Sequence, residues 1–136
     1  FASGATGYIE CSWAAPGKKT SAGFEVIGST GSIFFTWERM NELRYYDGRD
    51  AADRQGYRTI LVGPAQKGGE WFWPIAGYQI GYADTKVLQI ADFLSAVEGR
   101  IERPQTTFRE GVKSTLVEEA VMESAESRQW TTVSPE

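Results

Sequence analysis

Residues 6–13 alternate along the chain, with Gly7, Ile9, Cys11 and Trp13 on one side and Tyr8, Glu10 and Ser12 on the other. A period of two marks a half-buried strand, so the pattern predicts a strand from Thr6 to Trp13 with Cys11 turned inward. A polar connection follows from Ala14 to Ala22 and carries Pro16, Gly17, Lys18 and Lys19. The segments from Gly23 to Gly28 and from Ser32 to Trp37 then read as a hairpin, because their β-branched and aromatic residues suit a pleated surface. Its turn falls at Ser29-Thr30-Gly31, where glycine can supply a positive φ. Two further strands are predicted from Leu43 to Asp47 and from Tyr57 to Val62, with a charged loop, Asp47 to Arg54, between them.

The pattern changes at residues 71–85, Trp-Phe-Trp-Pro-Ile-Ala-Gly-Tyr-Gln-Ile-Gly-Tyr-Ala-Asp-Thr. Pro74, Gly77 and Gly81 forbid a long regular element, so the segment reads as an ordered aromatic loop. Rings held on an irregular backbone suit a concave site for a small polar molecule, with Gln79 and the tyrosine hydroxyls to orient it. The same rings could equally plug the open end of a sheet. Beyond the loop, Val87, Ile90, Ala91, Leu94 and Val97 fall at three- and four-residue spacing. This predicts a helix capped by Asp84 or Thr85, stopped by Gly99 and lying on the sheet. A second helix is predicted from about Phe108 to Ser127, with Val112, Leu116, Ala120 and Val121 inward and Glu118, Glu119, Glu123 and Glu126 in solvent. Trp130 to Val133 reads as a short last strand. Strands first and helices afterwards define an α+β class, a mainly antiparallel sheet packed on by two C-terminal helices.

Composition narrows the function classes. The chain has 136 residues, 41% hydrophobic and 24% charged, the length and balance of one globular domain spanning 1–136. Its net charge of -4, with lysines and arginines spread singly, argues against nucleic acid and anionic membranes as partners. No window approaches the roughly 20 apolar residues of a membrane span. The single cysteine, Cys11, has no internal partner, which fits a reducing cytoplasm.

Candidate chemistry is sparse. The chain contains no histidine, which removes zinc sites of the His/Cys type, Ser-His-Asp triads and Cys-His dyads. Asp47, Asp50 and Asp53 are spaced by three but lack the alternation, glycine and distant glutamate of a calcium loop, and Arg49 and Arg54 lie beside them to neutralise them. They read as a solvated turn, and no metal site is expected. Glycine-rich phosphate loops and nucleophile elbows are absent too, so no catalytic and no cofactor-binding residue is assigned within the chain.

Several segments in order resemble one family. These are residues 4–13 (Gly-Ala-Thr-Gly-Tyr-Ile-Glu-Cys-Ser-Trp), residues 24–32 (Phe-Glu-Val-Ile-Gly-Ser-Thr-Gly-Ser), Gly77 to Tyr82, Asp92-Phe93-Leu94, Phe108 to Gly111 and Glu119 to Ala125. Together they resemble the C-terminal domain of the Gfo/Idh/MocA oxidoreductases, the relatives of glucose-fructose oxidoreductase and inositol dehydrogenase. The resemblance implies a parent enzyme that uses NAD or NADP to oxidise a hydroxyl of a sugar, inositol or related polyol. It also implies that the N-terminal Rossmann domain, with its dinucleotide loop and catalytic residues, precedes Phe1, so that this domain is truncated at its N-terminal side and inactive alone.

On that resemblance the aromatic loop approaches the substrate, and Trp73, Tyr78, Gln79 and Tyr82 are the expected contacts, with Lys19 and Thr20 behind them. Exposed lysines are also commonly just solvated. The alternative is a non-catalytic binding or oligomerisation module of the same fold. An apolar sheet face drawn from Ile9, Cys11, Trp13, Phe24, Val26, Phe34 and Trp37 further predicts a homodimer or higher oligomer.

Overall fold

The computed structural model describes residues 1–72, 75 and 77–133, and the chain divides into two units, Phe1–Gly81 and Tyr82–Glu136. The first unit is built on a four-stranded antiparallel meander: β1 (Gly23–Ile27), β2 (Gly31–Thr36), β3 (Glu42–Asp47) and β4 (Arg58–Leu61), in that spatial order. The second carries two helices, α1 (Tyr82–Val97) and α2 (Phe108–Ser127). The order of elements is that of an α+β chain.

Register sorts the strand residues onto two unlike faces. Phe24 lies opposite Phe35, Val26 opposite Ile33, Ile33 opposite Tyr45, and Leu43 opposite Ile60. Because side chains alternate across a strand, these residues share one apolar face. The Phe24 and Phe35 ring centres lie 5.6 Å apart, and Trp37 meets Phe35 edge-on at 6.3 Å. The intervening positions form the other face, where Glu25, Phe34, Arg44 and Thr59 stand in one cross-strand row. There the Arg44 guanidinium lies 4.5 Å from the Tyr57 ring centre and 5.6 Å from that of Phe34, while the Tyr57 hydroxyl donates to Glu25 Oε1 at 3.2 Å. Phe34 therefore points away from Phe24 and Val26, and the apolar face expected from the sequence had mixed the two sides.

Glycine in the β1–β2 turn serves a different purpose from the expected one. Gly28 N–H donates to Gly31 O at 2.8 Å across Ser29-Thr30, yet Gly31 does not take a positive φ. It sits in β2 opposite Asp47, where a Cβ would come 2.7 Å from the Tyr46 carbonyl oxygen. Close backbone approach, rather than turn conformation, requires the glycine.

The two terminal strands expected from the sequence do not form. Residues 5–12 carry no strand pairing, Cys11 is exposed rather than inward, and Ile9 and Trp13 are in solvent. Residues 130–133 are likewise not a strand, and Trp130 is fully exposed. Alternation marks a segment suited to a ladder, but a strand exists only where a neighbour supplies its hydrogen bonds.

The helices follow the expected limits more closely. α1 starts at Tyr82, so Asp84 and Thr85 lie inside its first turn, with Thr85 Oγ1 donating to Tyr82 O at 2.6 Å, instead of capping it from outside. It stops at Gly99, whose φ of 71° ends the helix while Arg100 N–H closes onto Ser95 O at 2.8 Å. α2 ends on Arg128 at φ 57°. Its apolar stripe is open: Val112 and Val121 are 45% and 60% exposed. Among the described residues no hydrophobic side chain is buried, which makes the exposed apolar faces the main energetic feature of the chain.

Candidate functional site

One end of the sheet gathers the loops. There β1 begins, β2 ends, β3 begins and β4 ends, and three segments are tied to it. The connection ahead of β1 is held by Trp37 N–H donating to Ala22 O at 2.8 Å and by Lys19 N–H donating to Glu38 Oε1 at 2.9 Å. Beyond β4, Val62 N–H extends the ladder onto Asn41 O at 2.8 Å. The chain then folds into a tight loop in which Gly63 N–H donates to Gln66 Oε1 at 2.8 Å and Gly69 N–H to Gln66 O at 2.9 Å. Gly68 supplies a φ of 86° and Gly69 packs against the Gly63 carbonyl, leaving no room there for a side chain.

The aromatic segment returns to the same end. Ile80 N–H donates to Asn41 Oδ1 at 2.9 Å, and Asn41 Nδ2 donates to Ile80 O at 2.8 Å. Asn41 is 8% exposed, the most buried polar residue described. Both bonds come from one amide, which substitutes for a peptide group and fixes the backbone immediately after Gln79.

The expected contact residues are thus partly brought together. Tyr78 and Gln79 sit exposed on the returning segment, after a Gly77 φ of 98°. Lys19 and Thr20 are exposed on the connection tied to the same sheet end by Glu38. Tyr82 belongs to the second unit, where it opens α1 at 62% exposure with the Lys86 ammonium 5.0 Å from its ring centre. Trp73 lies outside the described residues. Asn41 was missed from the sequence, where a lone polar residue between Met40 and Glu42 gives no periodic signal.

The opposite end of the sheet is electrostatic. Asp47 accepts from Arg49 through Nε at 2.8 Å, Nη2 at 2.7 Å and the backbone N–H at 3.0 Å, and from the Tyr45 hydroxyl at 3.1 Å. The Arg49 side chain first, then its N–H, holds the Asp47 carboxyl well below the usual carboxylate range. Asp50 pairs at 2.6 Å with Arg58, delivered by β4, and not with the nearer-in-sequence Arg54. Two carboxylates of the predicted solvated turn, Asp47 and Asp50, are thus engaged by guanidinium groups. Among the described residues no three His, Cys, Asp or Glu side chains form a metal-holding group.

The sign of the resulting pH dependence follows from the depressed Asp47 value. Its stabilisation is present above the ordinary unfolded pKa of about 3.9 and is lost as pH falls through the folded value. Asp47→Asn is expected to lower melting temperature at neutral pH, with the two melting curves converging in strong acid. Thermal melts across that range check it.

A concavity lies on α2, a groove of about 410 Å³ lined by Phe108, Gly111, Val112, Thr115, Leu116 and Glu119. It contains none of the expected contact residues.

Fold and sequence resemble those of NAD-binding oxidoreductases of the Gfo/Idh/MocA type, over the part of such an enzyme that this chain spans. The chain is 40% identical over 134 residues, 98% of its length, to a levoglucosan dehydrogenase of Pseudarthrobacter phenanthrenivorans. It spans about a third (34%) of that relative's length. The solved structure of a levoglucosan dehydrogenase in complex with NADH matches with a TM-score of 0.84 at 37% identity, covering 90% of this chain and 32% of that one. An NAD binding oxidoreductase from Klebsiella pneumoniae matches with a TM-score of 0.91 at 30% identity, covering all of this chain (100%) and 36% of that one. A levoglucosan dehydrogenase complex with both NADH and levoglucosan matches at a TM-score of 0.83 and 37% identity, over 89% of this chain and 32% of that one. No family model matches the chain. Among the described residues no helix is long and apolar enough to cross a membrane.

Proposed function

We propose that this chain is the substrate-side and assembly segment of an NAD(P)-dependent dehydrogenase that oxidises a hydroxyl of a sugar or related polyol. The observation that carries the reading is the 40% identity to a levoglucosan dehydrogenase along 98% of the chain. Such a reaction moves a hydride from the carbinol carbon to the nicotinamide and the hydroxyl proton to a base, leaving a carbonyl and NADH. Both transfers need the cofactor and sugar carbons held in register. This chain's part is to hold the sugar: Gln79 and the Tyr78 and Tyr82 hydroxyls pair with hydroxyl groups, and the aromatic rings meet C–H patches. Trp73, Lys19 and Thr20 complete the proposed lining. The base and the cradle for NAD or NADP belong to a Rossmann domain joined to this segment in a cytoplasmic enzyme.

The exposed apolar sheet face supports an assembly role beside the sugar-binding one. Phe24, Val26 and Ile60 on it are 49%, 55% and 42% exposed. Each side chain of this size contributes roughly 1.5 to 3 kcal/mol when fully covered, so leaving the face in water is costly. We infer a homodimer or higher oligomer in which a second copy covers it.

The division of labour is tested by calorimetric titration. The 136-residue chain is expected to show no binding of NADH, because it has no glycine-rich cradle at a helix N-terminus, whereas the full-length enzyme binds it. Micromolar binding of NADH to the chain alone would contradict this assignment.

A further inference from the structure

Asn41 is placed where a small change would be felt by the candidate lining and not by the sheet. Its backbone oxygen is already engaged by Val62 N–H at 2.8 Å, which fixes the root of the side chain in the ladder. From there the amide reaches across 39 residues of sequence to take both polar groups of Ile80, at 2.9 Å and 2.8 Å. Upstream, Gly77 turns the chain with a φ of 98° that side-chain-bearing residues rarely adopt. Between the glycine turn and the Asn41 clamp only Tyr78 and Gln79 intervene, the two residues proposed to meet the sugar. Asparagine alone suits the position: aspartate lacks the donor for Ile80 O, glutamine is a methylene longer, and alanine would leave both Ile80 groups without this partner.

We infer that Asn41 is a positioning residue, which sets the sugar-facing placement of Tyr78 and Gln79 by clamping Ile80 to the end of the sheet. The inference rests on the reading of that segment as the sugar side of a dehydrogenase. A positioning residue acts through geometry, and misplacement of binding groups by about an ångström costs up to roughly a hundredfold in rate. Asn41 is expected to influence the sugar and to leave the cofactor alone.

The test uses Asn41→Ala and Asn41→Asp in the full-length enzyme, with hydrogen exchange and steady-state kinetics measured on each. For Asn41→Ala, protection of the Ile80 amide is expected to fall at least about tenfold while amides of β2 and β3 keep theirs, and KM for the sugar to rise about tenfold with KM for NAD within about twofold. Asn41→Asp keeps the acceptor for Ile80 N–H, so it should retain that amide's protection and raise the sugar KM by an intermediate amount. If the alanine variant does not fold, the aspartate variant decides by the same split between the two KM values. An unchanged sugar KM in the folded variants would overturn the inference. So would a general loss of protection across β2 and β3 with both KM values intact, which marks a fold-supporting bond. A wild-type enzyme that turns over no sugar would overturn the functional reading itself and the positioning role with it, a failure visible before any variant is made.

Discussion

Gln79→Ala and Tyr82→Phe in the full-length enzyme are each expected to lower kcat/KM for the sugar by roughly 1 to 3 kcal/mol, with melting temperature nearly unchanged. The magnitude is that of a hydrogen bond lost to a substrate hydroxyl in a desolvated site. Stability should hardly respond, because Gln79 and Tyr82 are both exposed, and changes at exposed positions usually stay within about 0.5 kcal/mol. Tyr82→Phe is the sharper variant, since it keeps the ring and removes only the hydroxyl. If melting temperature falls while kinetics per folded molecule stay constant, the segment is scaffolding and the aromatic rings serve to close the sheet end.

Phe24→Asp and Val26→Asp are expected to break the proposed oligomer. Both residues stand on β1, on the apolar face shared with Ile33 and Phe35, and both are about half exposed in the chain by itself. Within this chain the substitutions bury no new charge. In an oligomer that covers the face, each would place an unpaired carboxylate in an apolar contact, which costs several kcal/mol. Sedimentation velocity of the full-length enzyme should therefore show a smaller species for either variant, with the circular dichroism spectrum retained. A wild-type protein that runs as a monomer across micromolar concentrations would contradict the proposed oligomer.

The parts of the fold that the sequence made legible are those set by local periodicity. β1 to β4 fell within a residue or two of their predicted positions because alternating β-branched and aromatic residues pair with the next strand along the chain. Glycine at position 99 ended α1 as its conformational freedom requires, and α2 ran from Phe108 to Ser127 as its spacing implied. The parts that were not legible depend on distant partners. Thr6 to Trp13 alternates as well as β1 does, yet no ladder neighbour meets it among the described residues. Asp50 pairs with Arg58 because β3 and β4 are in register, a fact that the spacing of Arg54 hides. The clamp between Asn41 and Ile80 spans 39 residues, so nothing near either end announces it.

The irregular course of the chain around Tyr78 and Gln79 was legible, and its anchor was not. Glycine, proline and aromatic residues marked the segment around Tyr78 and Gln79 as an irregular, ring-bearing loop, and the structure ties its end to the sheet. What the residue pattern could not supply was the anchor, since Asn41 belongs to a different part of the chain.

The most direct measurement of the central claim is NADH or NADPH formation by the full-length enzyme with NAD or NADP as oxidant and a panel of levoglucosan, other sugars and inositol. The account predicts saturable turnover of at least one of these, with NAD or NADP in the assay, and a selective rise in sugar KM when Gln79 is replaced by alanine. No NADH or NADPH formation with any member of the panel, by a folded protein that binds the cofactor, would contradict it.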